Sequence, residues 1–224
     1  ECDWSSDVCS SDLKNTAGVL LVYLFSLTLS GIAISEGFND NYVQLGYTTN
    51  DYKHDDNTRI LSGSKELNNG LLVLGSYSYM TADWNDPGEY EEKTVKTISI
   101  GIGKAININP KTDFTSSLMY SDYDSKQICT NTDGSDCTSS YSDGGILKSD
   151  YYTVNFGIRH LVFTDLQVNA EYSLDRKGGL DPKTNTISIG AMKDVAKDIA
   201  IGLRASSYSK PDSDEAEIYI RRSF

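Results

Sequence analysis

The chain holds few residues whose type and spacing could do acid–base or nucleophilic chemistry. Its only histidines are His54, which is followed by Asp55 and Asp56, and His160. A catalytic histidine must lie within hydrogen-bond reach of a nucleophile or of the group whose proton it takes. Neither histidine is placed for this along the sequence, and a histidine beside loop acids is most often a solvated side chain. We therefore predict that the chain is not an enzyme and has no catalytic residues.

The segment 124–149 contains the candidates for a cross-link or a metal site. Cys129 and Cys137 form an even pair in a polar stretch. Zinc would need four ligands and no histidine is near, so in an exported protein the pair predicts a disulfide. The Asp-Gly-Ser-Asp sequence between the cysteines hints at calcium, but it does not fit a full calcium-binding loop with its terminal glutamate. We predict no metal site and no cofactor.

Two N-terminal segments are expected to be absent from the mature protein. The sequence DWSSDVCSSDL resembles one reading frame of a sequencing-library adapter, so we interpret residues 1–13 as non-native. Residues 14–35 contain one lysine, then an apolar run, then small residues before a cut after Ser35, which is the pattern of a secretory signal peptide. The alternative, a membrane-spanning helix, is disfavoured because polar residues interrupt its second half. The predicted mature domain is 36–224.

The charge of this mature domain limits its partners. Without the four acids of residues 1–13 and the one lysine of residues 14–35, it has 28 acidic and 19 basic residues, a net charge of −9. Nucleic acids are excluded as partners because their phosphates require basic patches. An acidic surface is compatible with divalent cations or basic partners. The length predicts one domain.

The mature domain alternates apolar and polar residues in one segment after another. In DLQVNAEYSLD, residues 165–175, every second residue from Leu166 to Leu174 is apolar. This period of two predicts a strand with one apolar face, and most segments are near the 9–11 residues of a tilted membrane strand. Ten strands are predicted, with eight as an alternative because two segments, 57–67 and 70–83, alternate less cleanly. The predicted strands are approximately 42–52, 57–67, 70–83, 93–104, 111–123, 150–160, 165–176, 184–193, 198–208 and 214–224.

The connections between these segments differ in length. The odd-numbered ones are polar and often long: 53–56, 84–92, 124–149, 177–183 and 209–213. The even-numbered ones are short, at Asn68–Asn69, 105–110, 161–164 and about 195–197, and contain turn-forming residues. Long loops at one end and tight turns at the other are typical of outer-membrane barrels. An even number of strands places both ends of the chain on the turn side, which faces the periplasm.

Alternation alone does not say whether the apolar face points outward to lipid or inward to a soluble core. Three features favour a membrane barrel over a periplasmic one. Charged residues and glycines share the polar face, which suits a crowded lumen. Many of the 15 tyrosines lie near predicted strand ends, where membrane barrels carry aromatic girdles. The last predicted strand ends at Phe224. The tyrosines concerned are Tyr42, Tyr47, Tyr77, Tyr79, Tyr120, Tyr123, Tyr151, Tyr152, Tyr172 and Tyr208.

Together these features resemble the small outer-membrane β-barrel proteins of Gram-negative bacteria, the porin-like OmpA-barrel, Opa and Ail-like group. The resemblance covers 36–224 and rests on architecture rather than on a sequence motif. It implies a closed antiparallel transmembrane β-barrel in the cell outer membrane, with outer-membrane lipids and lipopolysaccharide as partners. It also implies that Ile218, Ile220 and Phe224 belong to the signal read by the barrel-assembly machinery. Arg222 departs from that pattern.

A ten-strand count also resembles the omptin proteases, which need paired acids and a His–Asp pair at the extracellular rim. His54 lies in the first predicted extracellular loop, but no Asp-x-His dyad occurs on a later strand and His160 lies at the turn end. Outer-membrane lipases and deacylases need a Ser–His arrangement on the barrel wall. Neither histidine is placed for it, so the prediction stays non-enzymatic.

Charged residues on the predicted inward face are the remaining candidates for function. They are Arg159, Glu171, Arg204, Glu217 and Arg221. They could form a charged constriction in a narrow porin-like channel for ions or small solutes, or they could be paired charges that fill a narrow barrel. We favour filling, and hence a structural or surface-interacting protein, over the channel. The two differ in whether the arginines of the last two strands pair with the two glutamates.

Overall fold

A computed structural model describes residues 38–50, 57–67, 70–86, 89–131, 146–177, 184–209 and 212–224. Within these residues ten antiparallel strands form a closed barrel, in which consecutive strands pair and β1 pairs with β10. This confirms ten strands and excludes the alternative of eight. The strands are β1 (Tyr42–Asn50), β2 (Asn57–Glu66), β3 (Leu71–Asp86), β4 (Glu89–Asn109), β5 (Thr112–Asn131), β6 (Ile146–Phe163), β7 (Leu166–Lys177), β8 (Thr184–Ala196), β9 (Ile199–Ser209) and β10 (Asp212–Ser223).

Two predicted features lie outside the described residues. The adapter-like segment and the signal peptide fall in residues 1–35, so both stay predictions. In the part of the chain that the structure describes, no helix is both long and apolar enough to span a membrane.

Tight connections gather at one end of the barrel, here called the turn end. The connections Pro110–Lys111, Thr164–Asp165 and Lys197–Asp198 lie there. Gly70, with a φ of 69°, precedes β3 at this end, and this left-handed backbone favours glycine because it has no Cβ. The turn predicted at 105–110 is narrower than expected, because β4 continues to Asn109. The other end, with the connections 51–56, 87–88, 132–145, 178–183 and 210–211, is here called the loop end.

The outside of the barrel is an apolar band. Ile100 and Leu203 are 63% and 61% exposed, and they belong to a large set of exposed apolar side chains on alternate positions of neighbouring strands. A continuous apolar surface of this extent is unfavourable in water. Contact with lipid removes this cost, and a closed sheet leaves no unpaired strand edge within the membrane. The set includes Val43, Leu45, Leu61, Ile98, Ile102, Ile158, Ile187, Ile189, Ile201, Ile218 and Ile220.

The tyrosines divide between the two faces of the sheet. Five are exposed on the outside toward the loop end and form one aromatic girdle: Tyr47, Tyr77, Tyr120, Tyr152 and Tyr172. Four others that the sequence analysis assigned to girdles lie on the inner face instead: Tyr42, Tyr123, Tyr151 and Tyr208. Position near a strand end therefore identified too many girdle residues. Because side chains alternate along a strand, Tyr151 and Tyr152 must point to opposite faces.

Four neighbouring strands are longer than a membrane crossing requires. Strands β3 to β6 have 16, 21, 20 and 18 residues, whereas the other six have 9–13. About 9–11 residues suffice to cross a bilayer at the usual tilt. At the loop end β3 continues beyond its last pair with β2, at Thr81, and β6 begins before its first pair with β7, at Tyr151. This extension is here called the β3–β6 wall.

The wall corrects two predicted loops, because strand covers most of 84–92 and part of 124–149. Outside the wall, the loop predicted at 209–213 is also shorter than expected, since β9 ends at Ser209 and β10 begins at Asp212. The physical reason is that apolar alternation marks a strand only where one face meets lipid. Beyond the lipid, backbone pairing continues with polar residues on both faces. The predicted disulfide remains a prediction, because the Cys129 side chain and Cys137 lie outside the described residues.

Candidate functional site in the barrel lumen

The structure places all five predicted lumen charges on the inner face of the barrel. Four of them line a cavity of about 290 Å³: Arg159, Glu171, Arg204 and Arg221. The fifth, Glu217, is the cross-strand partner of Arg204. They are not one group, since Arg159 belongs to a cluster near the turn end and the others surround the middle of the lumen.

Arg159 is the centre of the turn-end cluster. Its Nη1 and Nη2 donate to the two carboxylate oxygens of Asp40 at 2.6 and 2.7 Å. Nη2 and Nε also donate to Oδ2 of Asp113 at 2.8 and 3.3 Å, and the ring of Phe38 lies 4.3 Å from the guanidinium carbon. All three charged side chains are buried. The planar guanidinium suits this two-sided, partly bidentate pairing, which a lysine could not reproduce.

Asp113 is also held by a neutral donor, because Asn107 Nδ2 donates to its Oδ1 at 3.3 Å. Asp113 and Arg159 are directly opposed on β5 and β6, so this half of the cluster is part of the barrel wall. Asp40 instead comes from the short segment before β1. One positive charge therefore meets two negative charges that come from different parts of the chain.

The mid-barrel cluster is built around Gln44 of β1. Arg204 Nη1 and Glu217 Oε2 lie 3.3 Å apart, and Gln44 Nε2 donates to Glu217 Oε1 at 3.4 Å. The side-chain oxygen Oε1 of Gln44 accepts two hydrogen bonds from Arg221, from Nη2 at 2.8 Å and from Nε at 3.1 Å. Thus Arg204 pairs with a glutamate as the filling hypothesis expected, whereas the described partner of Arg221 is a neutral amide.

Aromatic rings complete the surroundings of the two arginines. The Arg221 guanidinium carbon lies 3.9 Å from the centre of the Tyr42 ring, and the Tyr219 ring lies 5.8 Å from both Arg204 and Arg221. Such cation–π contacts stabilise a partly desolvated cation by about 0.5–2 kcal/mol. Tyr219 lies directly over Gly202 of the neighbouring strand, where any Cβ would collide with its ring. This close approach explains why an inward position of β9 is a glycine.

The rest of the cavity wall contains Glu171, uncharged polar residues and a few apolar side chains. Glu171 is half-buried on β7, with Oε1 at 3.5 Å from the Ser173 hydroxyl. Leu72 and Leu74 of β3 and Met119 of β5 also line the cavity. Their inward position explains the weak alternation at 70–83, because both faces of β3 carry apolar residues.

Neither a family model nor any curated protein matches the sequence, but solved structures with the same fold exist. The NanC porin matches 81% of this chain and 100% of its own length, with 7% identity and a TM-score of 0.50. The translocator domain of the autotransporter NalP from Neisseria meningitidis matches 98% of this chain and 100% of that domain, with 8% identity and a TM-score of 0.50.

Ail, the attachment invasion locus protein of Yersinia pestis, covers 83% of this chain and 98% of its own, with 12% identity and a TM-score of 0.39. The NanC and NalP matches, at 7% and 8% identity, show the fold and nothing about ligands. The closed sheet and its apolar outer band decide the environment of that fold. The chain is an outer-membrane β-barrel.

In this outer-membrane barrel some of the partners of the predicted lumen arginines were not among the residues predicted from the sequence. Asp113 could have been found, because it lies on the inner face of β5 opposite Arg159 once the strand register is known. Gln44 is uncharged, so the search for charged lumen residues in the sequence did not identify it. Asp40 lies before the first strand in a stretch without periodicity, so no sequence pattern pointed to it.

The remaining predicted residues lie as follows. Ile218 and Ile220 are exposed on the lipid-facing side of β10, and Phe224 follows this strand with the Lys65 ammonium 5.4 Å from its ring. Their role in assembly stays a prediction. His160 is exposed and its Nδ1 lies 2.9 Å from the Thr112 hydroxyl, while His54 lies outside the described residues. Among the described residues, no three His, Cys, Asp or Glu side chains are grouped to hold a metal ion.

Proposed function

We propose that this outer-membrane barrel is non-enzymatic, that its own side chains close its lumen, and that it acts at the cell surface through the β3–β6 wall. The burial of the inner face carries the proposal of a closed lumen. In a wide aqueous pore, inward side chains would be solvated. Here Gln44 is 5% exposed, Glu217 is 5% exposed and Ser121 is 2% exposed, although they lie at different heights in the lumen.

Polar side chains on the inner face also form hydrogen bonds with each other. The hydroxyls of Ser188 and Ser206 lie 2.9 Å apart, and those of Ser99 and Ser121 lie 2.8 Å apart. Each pair joins neighbouring strands and replaces water as the hydrogen-bond partner. This supports a filled lumen at several levels, in keeping with the small diameter of barrels with few strands.

Purified protein inserted in planar lipid bilayers is expected to show no discrete conductance steps, because the proposed closure would leave no continuous water column past the two charged clusters. Single-channel recording at high salt tests this, with retention of heat-modifiable gel mobility as the control for a folded barrel. Steps from a folded barrel would overturn the filled-lumen proposal.

The cavity itself supports a second candidate function, a narrow channel. Its volume of about 290 Å³ has room for about ten water molecules at roughly 30 Å³ each. Arg204 and Arg221 line it, so a conducting lumen would sense their charge. If steps are observed, Arg204→Ala should change the ratio of cation to anion permeability, and unchanged selectivity would count against this candidate.

Surface exposure of the wall follows from the orientation of the barrel, with the loop end outside the cell. An epitope inserted between Pro87 and Gly88, where β3 and β4 meet, is expected to bind antibody on intact cells. The same epitope between Pro110 and Lys111, at the turn end, should bind only after the outer membrane is permeabilised. The opposite pattern would place the wall in the periplasm and remove the proposed surface role.

Lipids and lipopolysaccharide are the proposed partners of the outer surface, with the barrel-assembly machinery during biogenesis. Support comes from one row of outward residues in register across five strands, just beyond the apolar band: Arg59, Tyr79, Lys96, Asp124 and Lys148. Cations in this row can meet the phosphates of lipopolysaccharide directly, and carboxylates can meet them through divalent cations. The amount of lipopolysaccharide that copurifies with the barrel measures this contact.

A further inference from the structure

Residues Phe38–Asn41 link opposite walls of the lumen at the turn end. In a ring of ten strands, β6 is the strand opposite β1 whichever way the ring is followed. Nevertheless Asp40, which precedes β1, makes a bidentate contact with Arg159 of β6. Phe38 stacks on the same guanidinium, and both residues are buried. The segment therefore extends into the mouth of the barrel instead of leaving it.

The other end of this segment is fixed to the near wall. The backbone oxygen of Asn41 accepts a hydrogen bond from Phe224 N at 3.1 Å, and its side-chain oxygen accepts one from Glu66 N at 3.1 Å. Asn41 is thus tied to β2 and to the end of β10, while Asp40 is tied to β6. A short piece of chain held at both sides crosses the opening.

Asp40 is also one of the residues that line the cavity of about 290 Å³, so the crossing segment forms the turn-end wall of that cavity. The Arg159–Asp113 pair belongs to the barrel wall and does not need Asp40 for its own hydrogen bonds. Loss of the Asp40 carboxylate would therefore release the segment without leaving Arg159 unpaired.

We propose that Phe38–Asn41 is a strap that shuts the turn end of the cavity, and that release of Asp40 from Arg159 opens the cavity to small polar solutes from the periplasm. The strap is a separate element of the closure described above. The mid-barrel cluster and the buried inner face toward the loop end remain in place when it opens. Release therefore gives access to the cavity from one side and not passage through the barrel.

Ser62 provides a reporter because it lines the cavity and is not one of the residues whose hydrogen bonds hold the strap. In the full chain with its four cysteines replaced by serine, Ser62→Cys would be the only thiol. Its rate of modification by a charged, water-soluble methanethiosulfonate reagent is measured in detergent. Asp40→Ala is expected to raise this rate by at least about tenfold, because the strap can then open without the breaking of a buried, charge-assisted ion pair.

Asp165→Ala is the matched control, since it removes a carboxylate from an exposed ion pair with Lys193 at the same end of the barrel. It should leave the rate unchanged, and Asp40→Glu, which keeps the charge, should stay near the parent. If Asp40→Ala does not give a heat-modifiable barrel, the near-isosteric Asp40→Asn is measured with the same expectation.

Two results would overturn the strap. One is a rate in the released variant within about twofold of the parent, and the other is a parent whose thiol already reacts as fast as an exposed cysteine. Neither depends on bilayer conductance. A parent that conducts would contradict the filled lumen proposed above and leave the strap to be judged by its own rates.

Discussion

Replacing Arg159 with methionine is expected to lower the free energy of unfolding by about 3–5 kcal/mol, the usual cost of removing one partner of a buried ion pair. The substitution keeps an unbranched apolar side chain but removes the cation that Asp40 and Asp113 share. The Asp113 carboxylate then remains buried in the barrel wall with only the amide of Asn107 as a described neutral donor, and the Asp40 carboxylate loses the contact that holds the strap. Urea unfolding in detergent micelles, followed by gel mobility, gives the free energy.

Arg221→Met is the matched control for this prediction. Arg221 is also an inward arginine, but its described partners are the Gln44 amide oxygen and the rings of Tyr42 and Tyr219. Its loss therefore leaves no described carboxylate without its ion-pair partner. We expect a loss of about 1–2 kcal/mol, the size of a hydrogen bond plus a cation–π contact. Equal losses in the two variants would contradict the central role of the turn-end cluster.

Further substitutions in the Arg159→Met variant distinguish two causes of its lower stability, buried carboxylates without a cation and lost packing. Adding Asp40→Asn and Asp113→Asn to Arg159→Met is expected to recover at least half of the loss, because no buried charge then remains without a partner. If packing alone caused the loss, the triple variant would be no more stable than the single one. Such cycles are informative here because the three side chains are in direct contact.

The strands of this barrel could be predicted from sequence because lipid imposes a rule on each of them. Every second residue must be apolar where the sheet meets hydrocarbon, so the number of strands and the inward face of Glu171, Arg204 and Glu217 followed from period two. The same rule fails outside the lipid. The loop-end parts of β3 to β6 pair their backbones in water, where no alternation is needed, and were therefore assigned to loops.

The interior was harder to predict because nothing periodic governs it. A narrow lumen needs its space filled and its charges compensated, and either can be done by many combinations of residues. Leu72 and Leu74 fill one side with apolar groups, and Tyr219 fills another by lying over Gly202. Pairing of Arg159 with Asp40 depends on a segment outside the sheet, and no local pattern announces such a contact.

The requirement for apolar residues on the lipid face predicts a second large effect on stability. Leu203→Arg is expected to destabilise the barrel by about 2–4 kcal/mol, the cost of placing an arginine on the lipid face of a barrel near the bilayer midplane. Leu203 points outward between Ala191 and Ile218, with further apolar positions above and below it on β9. Its environment offers no carboxylate and no water to the guanidinium. Urea unfolding in phospholipid vesicles measures the loss.

Ser207→Arg is the control that separates depth from charge. Ser207 lies on the same outward face of β9, toward the loop end, beside Asp214 in the register of β10. An arginine there reaches the headgroups and a carboxylate, so the expected loss is at most about 1 kcal/mol. A difference between the two variants follows only if Leu203 is surrounded by hydrocarbon. Equal stabilities in vesicles would mean that this face does not lie in the membrane, and the outer band would then need another partner to cover it.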